Sequence, residues 1–201
     1  MSAFDYIRPR SISEAVDFLK THGSESRMLA GGTDLLIQLR NNEIQPSFIV
    51  DLKQIAELQT GIQQKNGFVS ISATTTVSDI LMSNLIATYF PALIDAAKAI
   101  GSVQIRNRAT IVGNICNASP AADSAPPLLV YGAVVVAIGP NGTRHIPLND
   151  FFIRSGVTSL QKDEFVAFIE VPIPVKKMGA AHVRRTRRRG HDLASVTLCC
   201  G

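Results

Sequence analysis

The chain has 201 residues, 46% hydrophobic and 18% charged, so it can bury a core as one domain or as two small ones sharing a ligand, and a disordered chain is excluded. Its formal charge of +4 is only mildly basic, and no apolar run approaches the ~20 residues of a membrane span. Three cysteines (Cys116, Cys199, Cys200) form no zinc or iron–sulfur spacing and no disulfide framework, and Asp5, Arg8 and Arg10 break any apolar stretch at the N-terminus, which together predict a cytoplasmic protein without a signal peptide.

Residues 4–7 read as a short strand closed by Arg8-Pro9. Ser11 and Glu14 have the spacing of a capping box ahead of a one-sided helix on Ala15, Val16, Phe18 and Leu19, which Gly23 stops. Residues 27–30 are a second strand, followed by a Gly31-Gly32 turn, a helix to about residue 40, and a third strand at 48–50. This alternation predicts a small βαβ layer with parallel pairing. The texture then changes. An Asn66-Gly67 turn joins two strands, Thr76, Ser78 and Asp79 open a short helix, and Pro91 opens a longer one on Ala92, Leu93, Ile94, Ala96, Ala97 and Ile100 that ends at Gly101. A second hairpin turns at Pro140-Asn141-Gly142, residues 165–171 form an apolar strand closed by Pro172 and Pro174, and residues 180–186 and 194–199 read as further strands. The expectation is a larger, mainly antiparallel α+β unit behind the βαβ layer. A chain that stops just after an apolar strand is expected to continue or to pair with another chain.

Two glycine-containing runs carry the chemistry. In the first, Ala30-Gly31-Gly32-Thr33-Asp34 joins a strand to a helix start. Adjacent glycines admit positive φ and bring no Cβ near a ligand, and Thr33 or Asp34 can cap the helix, so the run suits a phosphate; a plain left-handed turn before a capped helix explains it equally. In the second, Thr110-Ile111-Val112-Gly113-Asn114 offers a hydroxyl, a close backbone approach and an amide, with an ordinary polar turn as the competing reading. One run lies in each unit, which suits a dinucleotide held in a crevice between them. The Rossmann G-x-G-x-x-G run is absent.

Taken in order, Phe4 to Pro9, Glu14-Ala15, Leu29 to Leu35, Gln104 to Asn107, Thr110 to Ile115, Ala118 to Asp123 and Ile169 to Pro172 resemble the FAD-binding subunit, or middle domain, of the molybdenum hydroxylases, a family that includes xanthine, carbon monoxide and nicotinate dehydrogenases. The resemblance implies an α+β fold of the vanillyl-alcohol oxidase (PCMH) type, with an N-terminal FAD-binding subdomain at 1–56, a second at 57–180, and the start of a truncated C-terminal domain at 181–201. It implies noncovalently bound FAD. Arg27, Met28 and Leu29 would lead into a pyrophosphate wrap made by Ala30, Gly31, Gly32, Thr33 and Asp34. Thr110, Ile111, Val112, Gly113 and Asn114 would form the second cradle. Asp123, Val166 and the basic Arg184 would contact the cofactor, and Ile100 and Gly101 would pack the isoalloxazine region. The implied role is electron relay: substrate is oxidised at a molybdenum cofactor in one partner subunit, electrons cross 2Fe-2S clusters in another, and FAD passes them to an acceptor such as NAD+ or O2. No residue of this chain need act as general acid or base.

Two departures from the family matter. Val112 stands where a glycine is usual, and the chain stops where the family's C-terminal domain begins. They motivate a second reading, a flavin-free scaffold that docks the partner subunits. A third is a phosphate- or nucleic-acid-binding module built on Arg184, Arg185, Arg187, Arg188 and Arg189, but without interleaved aromatics or a nucleic-acid motif the expectation is no nucleic acid. His22, His145, His182 and His191 have no metal spacing, Ser119 and Ser124 lack a triad pattern, and Cys116 reads as a small buried filler rather than a redox thiol.

Overall fold

The structure, a computed structural model, describes residues 3–176, 178–188 and 192–201. Its first layer is β1 (Asp5–Ile7), α1 (Ile12–His22), β2 (Ser26–Leu29), α2 (Leu35–Arg40) and β3 (Phe48–Asp51). The three strands lie in the order β1-β3-β2, and β3 pairs parallel with both neighbours. Ser11 starts α1 by accepting from the Glu14 N–H at 3.1 Å, while the Glu14 carboxylate accepts from the N–H of Arg10 at 2.7 Å, one residue before the position a capping box would use.

The second unit runs through β4 (Ile62–Lys65), β5 (Phe68–Ser72), α3 (Val77–Met82), α4 (Asn84–Tyr89), α5 (Pro91–Ala99), α6 (Val103–Arg106), α7 (Ile111–Cys116), α8 (Ala125–Val130), β6 (Val134–Gly139), β7 (Gly142–Pro147), α9 (Leu148–Phe151), β8 (Phe152–Arg154), β9 (Val157–Thr158) and β10 (Phe165–Pro172). Its main sheet, β4-β5-β10-β6-β7, is antiparallel throughout. The α+β class, the parallel first layer and the antiparallel second unit expected from the sequence are all present. A complete capping box opens α3, with Thr76 and Asp79 bonding each other's backbone N–H. A separate hairpin, β11 (Ala181–Thr186) with β12 (Ala194–Cys200), packs on α5 and α8.

One element corrects the sequence reading. Residues 111–116 are the helix α7, not a turn: Thr110 is its N-cap, and Val112, Gly113 and Asn114 are helical residues. The pattern is hard to read because the helix is only 6 residues long and carries three β-branched residues (Ile111, Val112, Ile115) and a glycine.

Most buried apolar side chains form one core that crosses both units. Ala15 and Leu19 of α1 and Val50 of β3 belong to it together with Val69, Ile71, Val135 and Ile169 of the main sheet. On the opposite face of the first layer, Leu29, Leu39 and Ile49 form a small separate cluster. Adjacent residues Ile49 and Val50 thus serve opposite faces of β3, as strand alternation requires.

Candidate functional site

The turn after β2 and the segment before α7 meet backbone to backbone. A Cβ added at Gly31 would collide with the Arg108 carbonyl and lie 2.9 Å from Ala109 Cα, so only glycine lets the two segments approach this closely. Gly32 has φ of +79°, and a Cβ there would lie 2.8 Å from Leu29 Cδ1. Among the described residues, the N–H groups of Gly32, Thr33, Asp34 and Leu35 find no protein acceptor, nor do those of Ile111 and Val112. Asp34 is the N-cap of α2 by position, yet its side chain makes no capping bond. Thr110 does cap, accepting from the Gly113 N–H at 2.9 Å, which leaves its own hydroxyl hydrogen free to donate. Asn114 is held by Ser124, whose hydroxyl donates to the Asn114 side-chain carbonyl at 2.5 Å.

These segments wall a cleft of about 540 Å³ between the two units. Of the predicted site residues, Arg27, Met28, Ala30, Gly31, Gly32, Thr33, Asp34, Gly101, Thr110, Val112, Gly113, Asn114, Asp123 and Val166 line it, as does Ile100. Leu29 and Ile111 do not; they are buried in the small and main apolar clusters. Val112 is 3% exposed and packs into the main core, so its side chain is accommodated in the wall. Val166 sits where the β10–β6 register shifts, a bulge of the kind that re-aims backbone at a site. Sequence reading missed Ile37, Ile105, Leu160 and Leu193, which make the cleft partly apolar, and Asn117 and Glu164, which add polar groups. No local signal in the sequence marks them, because only the tertiary fold brings these residues to one cavity.

Arg184 does not line the cleft. It stands behind the wall and ties three lining segments together. Its guanidinium donates to the Ala99 carbonyl at 2.8 Å, next to Ile100, and to the Asp192 carbonyl at 2.6 Å, next to Leu193, and its Nη1 lies 3.4 Å from Asp123 Oδ2. Arg106 grips the same turn from the other side, donating to the carbonyls of Ile100 at 3.1 Å and Gly101 at 3.0 Å. Of the other arginines in the basic run, Arg185 faces outward, Arg187 and Arg188 are exposed, and Arg189, like His191, lies outside the described residues.

Burial raises the Asp34 carboxyl above its ordinary range. Burial also raises Asp123, against the lowering pull of Arg184 and His182. The Cys116 thiol is pushed up to about 12 by burial, so it is a neutral wall residue rather than a reactive thiolate. His22 stacks on Phe18 and Phe48 at 4.8 and 4.7 Å. Among the described residues no cluster of His, Cys, Asp and Glu could hold a metal ion, and no helix is long and apolar enough to cross a membrane.

The donor set fits a dinucleotide. Backbone N–H groups without a protein acceptor lie on two elements that wall the cleft, the buried Asp123 Oδ1 has no close partner and can accept from a hydroxyl or N–H, and isoleucines and leucines offer apolar contact for a ring system.

Comparison with known proteins points the same way. Residues 2–174 match the family described as "FAD binding domain in molybdopterin dehydrogenase". The chain is 36% identical over 192 residues to the xanthine dehydrogenase FAD-binding subunit of Escherichia coli O157:H7, and 35% identical over 187 residues to the carbon monoxide dehydrogenase medium chain of Hydrogenophaga pseudoflava. These matches cover 95% and 93% of this chain and 65% of each relative, so the chain spans just under two thirds of their length. Among solved structures, carbon monoxide dehydrogenase from Hydrogenophaga pseudoflava superposes with a TM-score of 0.90 at 35% identity over 96% of this chain and 67% of that one. Reconstituted CO dehydrogenase from Oligotropha carboxidovorans gives 0.92 at 31% identity over 98% and 68%.

Proposed function

The chain belongs to the family of FAD-binding domains of the molybdopterin dehydrogenases, and from that premise we propose that it is the FAD-holding, electron-transfer component of a multi-subunit molybdenum hydroxylase. The observation that carries the reading is the contact of Gly31 with residues 108 and 109, which joins two sets of free N–H donors into one cradle at the cleft. In it, the backbone of Gly32 to Leu35 and of Ile111 and Val112 would hold the pyrophosphate, with the Thr33 and Thr110 hydroxyls donating beside it. Asp123 would accept from the cofactor, and Ile100, Ile105 and Leu193 would exclude water from the ring. FAD supplies the redox chemistry when bound; the chain's part is to bind it, orient it and set its surroundings.

Residues 1–56 and 57–180 are the two FAD-binding subdomains in this reading, with 181–201 a separate unit packed on the second. The partners are an iron–sulfur subunit and a molybdenum-cofactor subunit. The acceptor is NAD+ or O2, and the setting is the cytoplasm.

The test is the absorption spectrum of the purified complex, with identification of any flavin released on denaturation. Released FAD, lost in Gly32→Val, supports the reading. A complex that stays colourless with added FAD leaves a scaffold that docks partner subunits.

A further inference from the structure

The β11–β12 hairpin turns one face inward, against α5 and α8. On that face His182 pairs across the hairpin with Cys199, and Arg184 pairs with Thr197. The outward face carries the exposed Val183, Val196 and Leu198. The inward side chains surround Asp123, an acidic residue of the cleft wall. Asp123 Oδ2 is 3.4 Å from Arg184 Nη1, and Asp123 Oδ1 is 4.0 Å from His182 Nε2. The side chains of His182 and Asp123 are 3% and 9% exposed. Asp123 Oδ1 and His182 Nε2 are both buried without a close hydrogen-bond partner among the described residues, as is Arg184 Nε, while the buried Thr197 hydroxyl faces the same carboxyl and, with Arg184 and His182, pulls its pKa down. Buried polar atoms are nearly always paired, so such atoms gathered on neighbouring side chains mark a functional environment rather than a packing accident.

We propose that His182 is a positioning residue of the cofactor cleft: its buried imidazole, with the Arg184 guanidinium, keeps the Asp123 carboxylate charged and turned toward the cofactor. The proposal rests on the FAD reading above. Arg184 cannot lose its charge, whereas His182 can gain one. Burial disfavours the imidazolium most, Asp123 favours it, Arg184 opposes it, and Asp95 of α5 favours it; the net effect is below the ordinary histidine value. Cys199, directly across the hairpin, has its own thiol pushed up by burial and is neutral. At neutral pH His182 is therefore an uncharged neighbour of the carboxylate. On acidification a proton taken by His182 places positive charge 4.0 Å from Asp123 Oδ1, which opposes protonation of that carboxyl. His182 thus defers the protonation of Asp123.

The experiment measures the dissociation constant for FAD from about pH 5 to pH 8 in the wild type, His182→Phe and His182→Gln. In the wild type, binding weakens only toward the acid end. In His182→Phe the weakening begins about one pH unit higher. At the acid end that variant binds about tenfold less tightly than the wild type, with the smallest difference at pH 8. His182→Gln keeps a hydrogen-bonding group but not the titration, and its profile falls between the two; it carries the comparison alone if the phenylalanine variant does not fold. Superimposable profiles overturn the proposal, as does a loss by the same factor at every pH, which is the signature of packing alone. Either result leaves the FAD reading standing, whereas a wild type that binds no FAD at any pH overturns both.

Discussion

At the residue scale, Asp51 is the side chain on which the glycine turn is tied down. It is 3% exposed at the end of β3. The Tyr6 hydroxyl donates to its Oδ2 at 2.5 Å, and Lys53 Nζ bonds its Oδ1 at 2.5 Å while also reaching the Ala30 carbonyl at 3.4 Å. One carboxylate thus joins β1, β3 and the first residue of the cradle. Burial alone would raise its pKa, but the bonds from Lys53 and Tyr6 outweigh burial and hold it below the ordinary value of 3.8. A carboxyl with a depressed folded-state pKa contributes stability above its unfolded value and loses it as pH falls through the folded one. Asp51→Asn is therefore expected to cost about 2 kcal/mol at neutral pH, the worth of a buried hydrogen bond to a charged group. Urea unfolding of wild type and variant at pH 7 and again below pH 3.8 checks this. The gap between the two midpoints should narrow as the pH falls below 3.8, and a gap independent of pH would assign the cost to packing instead.

At the element scale, α7 shows how a cap and a binding residue can be the same side chain. Thr110 accepts from the Gly113 N–H and so starts the helix, leaving the N–H groups of Ile111 and Val112 without a protein acceptor among the described residues. Thr110→Val keeps the shape and deletes the cap. It should cost about 1 kcal/mol of stability and weaken FAD binding in addition, while Thr110→Ser should restore both. Denaturant midpoints and FAD titration of the two variants separate the effects, and an unchanged FAD affinity in Thr110→Val would remove this helix from the cradle. The same element marks where the sequence stops being legible. Strands and turns with strong local signals, such as Phe48–Asp51, the Asn66-Gly67 hairpin and the strand before Pro172 and Pro174, are readable because their chemistry is local. A six-residue helix started by a threonine has almost no periodicity to read. Nine residues of the two glycine-containing runs line the cleft. The retreat of Leu29 and Ile111 into apolar clusters, and of Arg184 behind the wall, depends on contacts between segments far apart in sequence.

At the scale of the whole molecule, the two units cannot be energetically separate. The cluster of Leu29, Leu39 and Ile49 is too small to hold the first layer folded alone, since little apolar surface is buried there. Its other face rests on Ala15, Leu19 and Val50, which belong to the core of the second unit, and α1 packs against β6. The cleft lies at this junction, so the geometry that brings residue 31 against residues 108 and 109 is only as stable as the shared core. Leu19 is 1% exposed, and Leu19→Ala should cost about 2–5 kcal/mol. The informative part is the form of the loss. With a shared core, the amide exchange of Ile49 in the first layer and of Ile169 in the main sheet should accelerate together, and circular dichroism should show one transition. Independent subdomains would instead let Ile49 exchange faster while Ile169 kept its protection. A single transition also implies that FAD, by bridging both units, stabilises the whole fold in proportion to the logarithm of its concentration over its dissociation constant. The Leu19→Ala midpoint should then rise with added FAD, as the wild-type midpoint does.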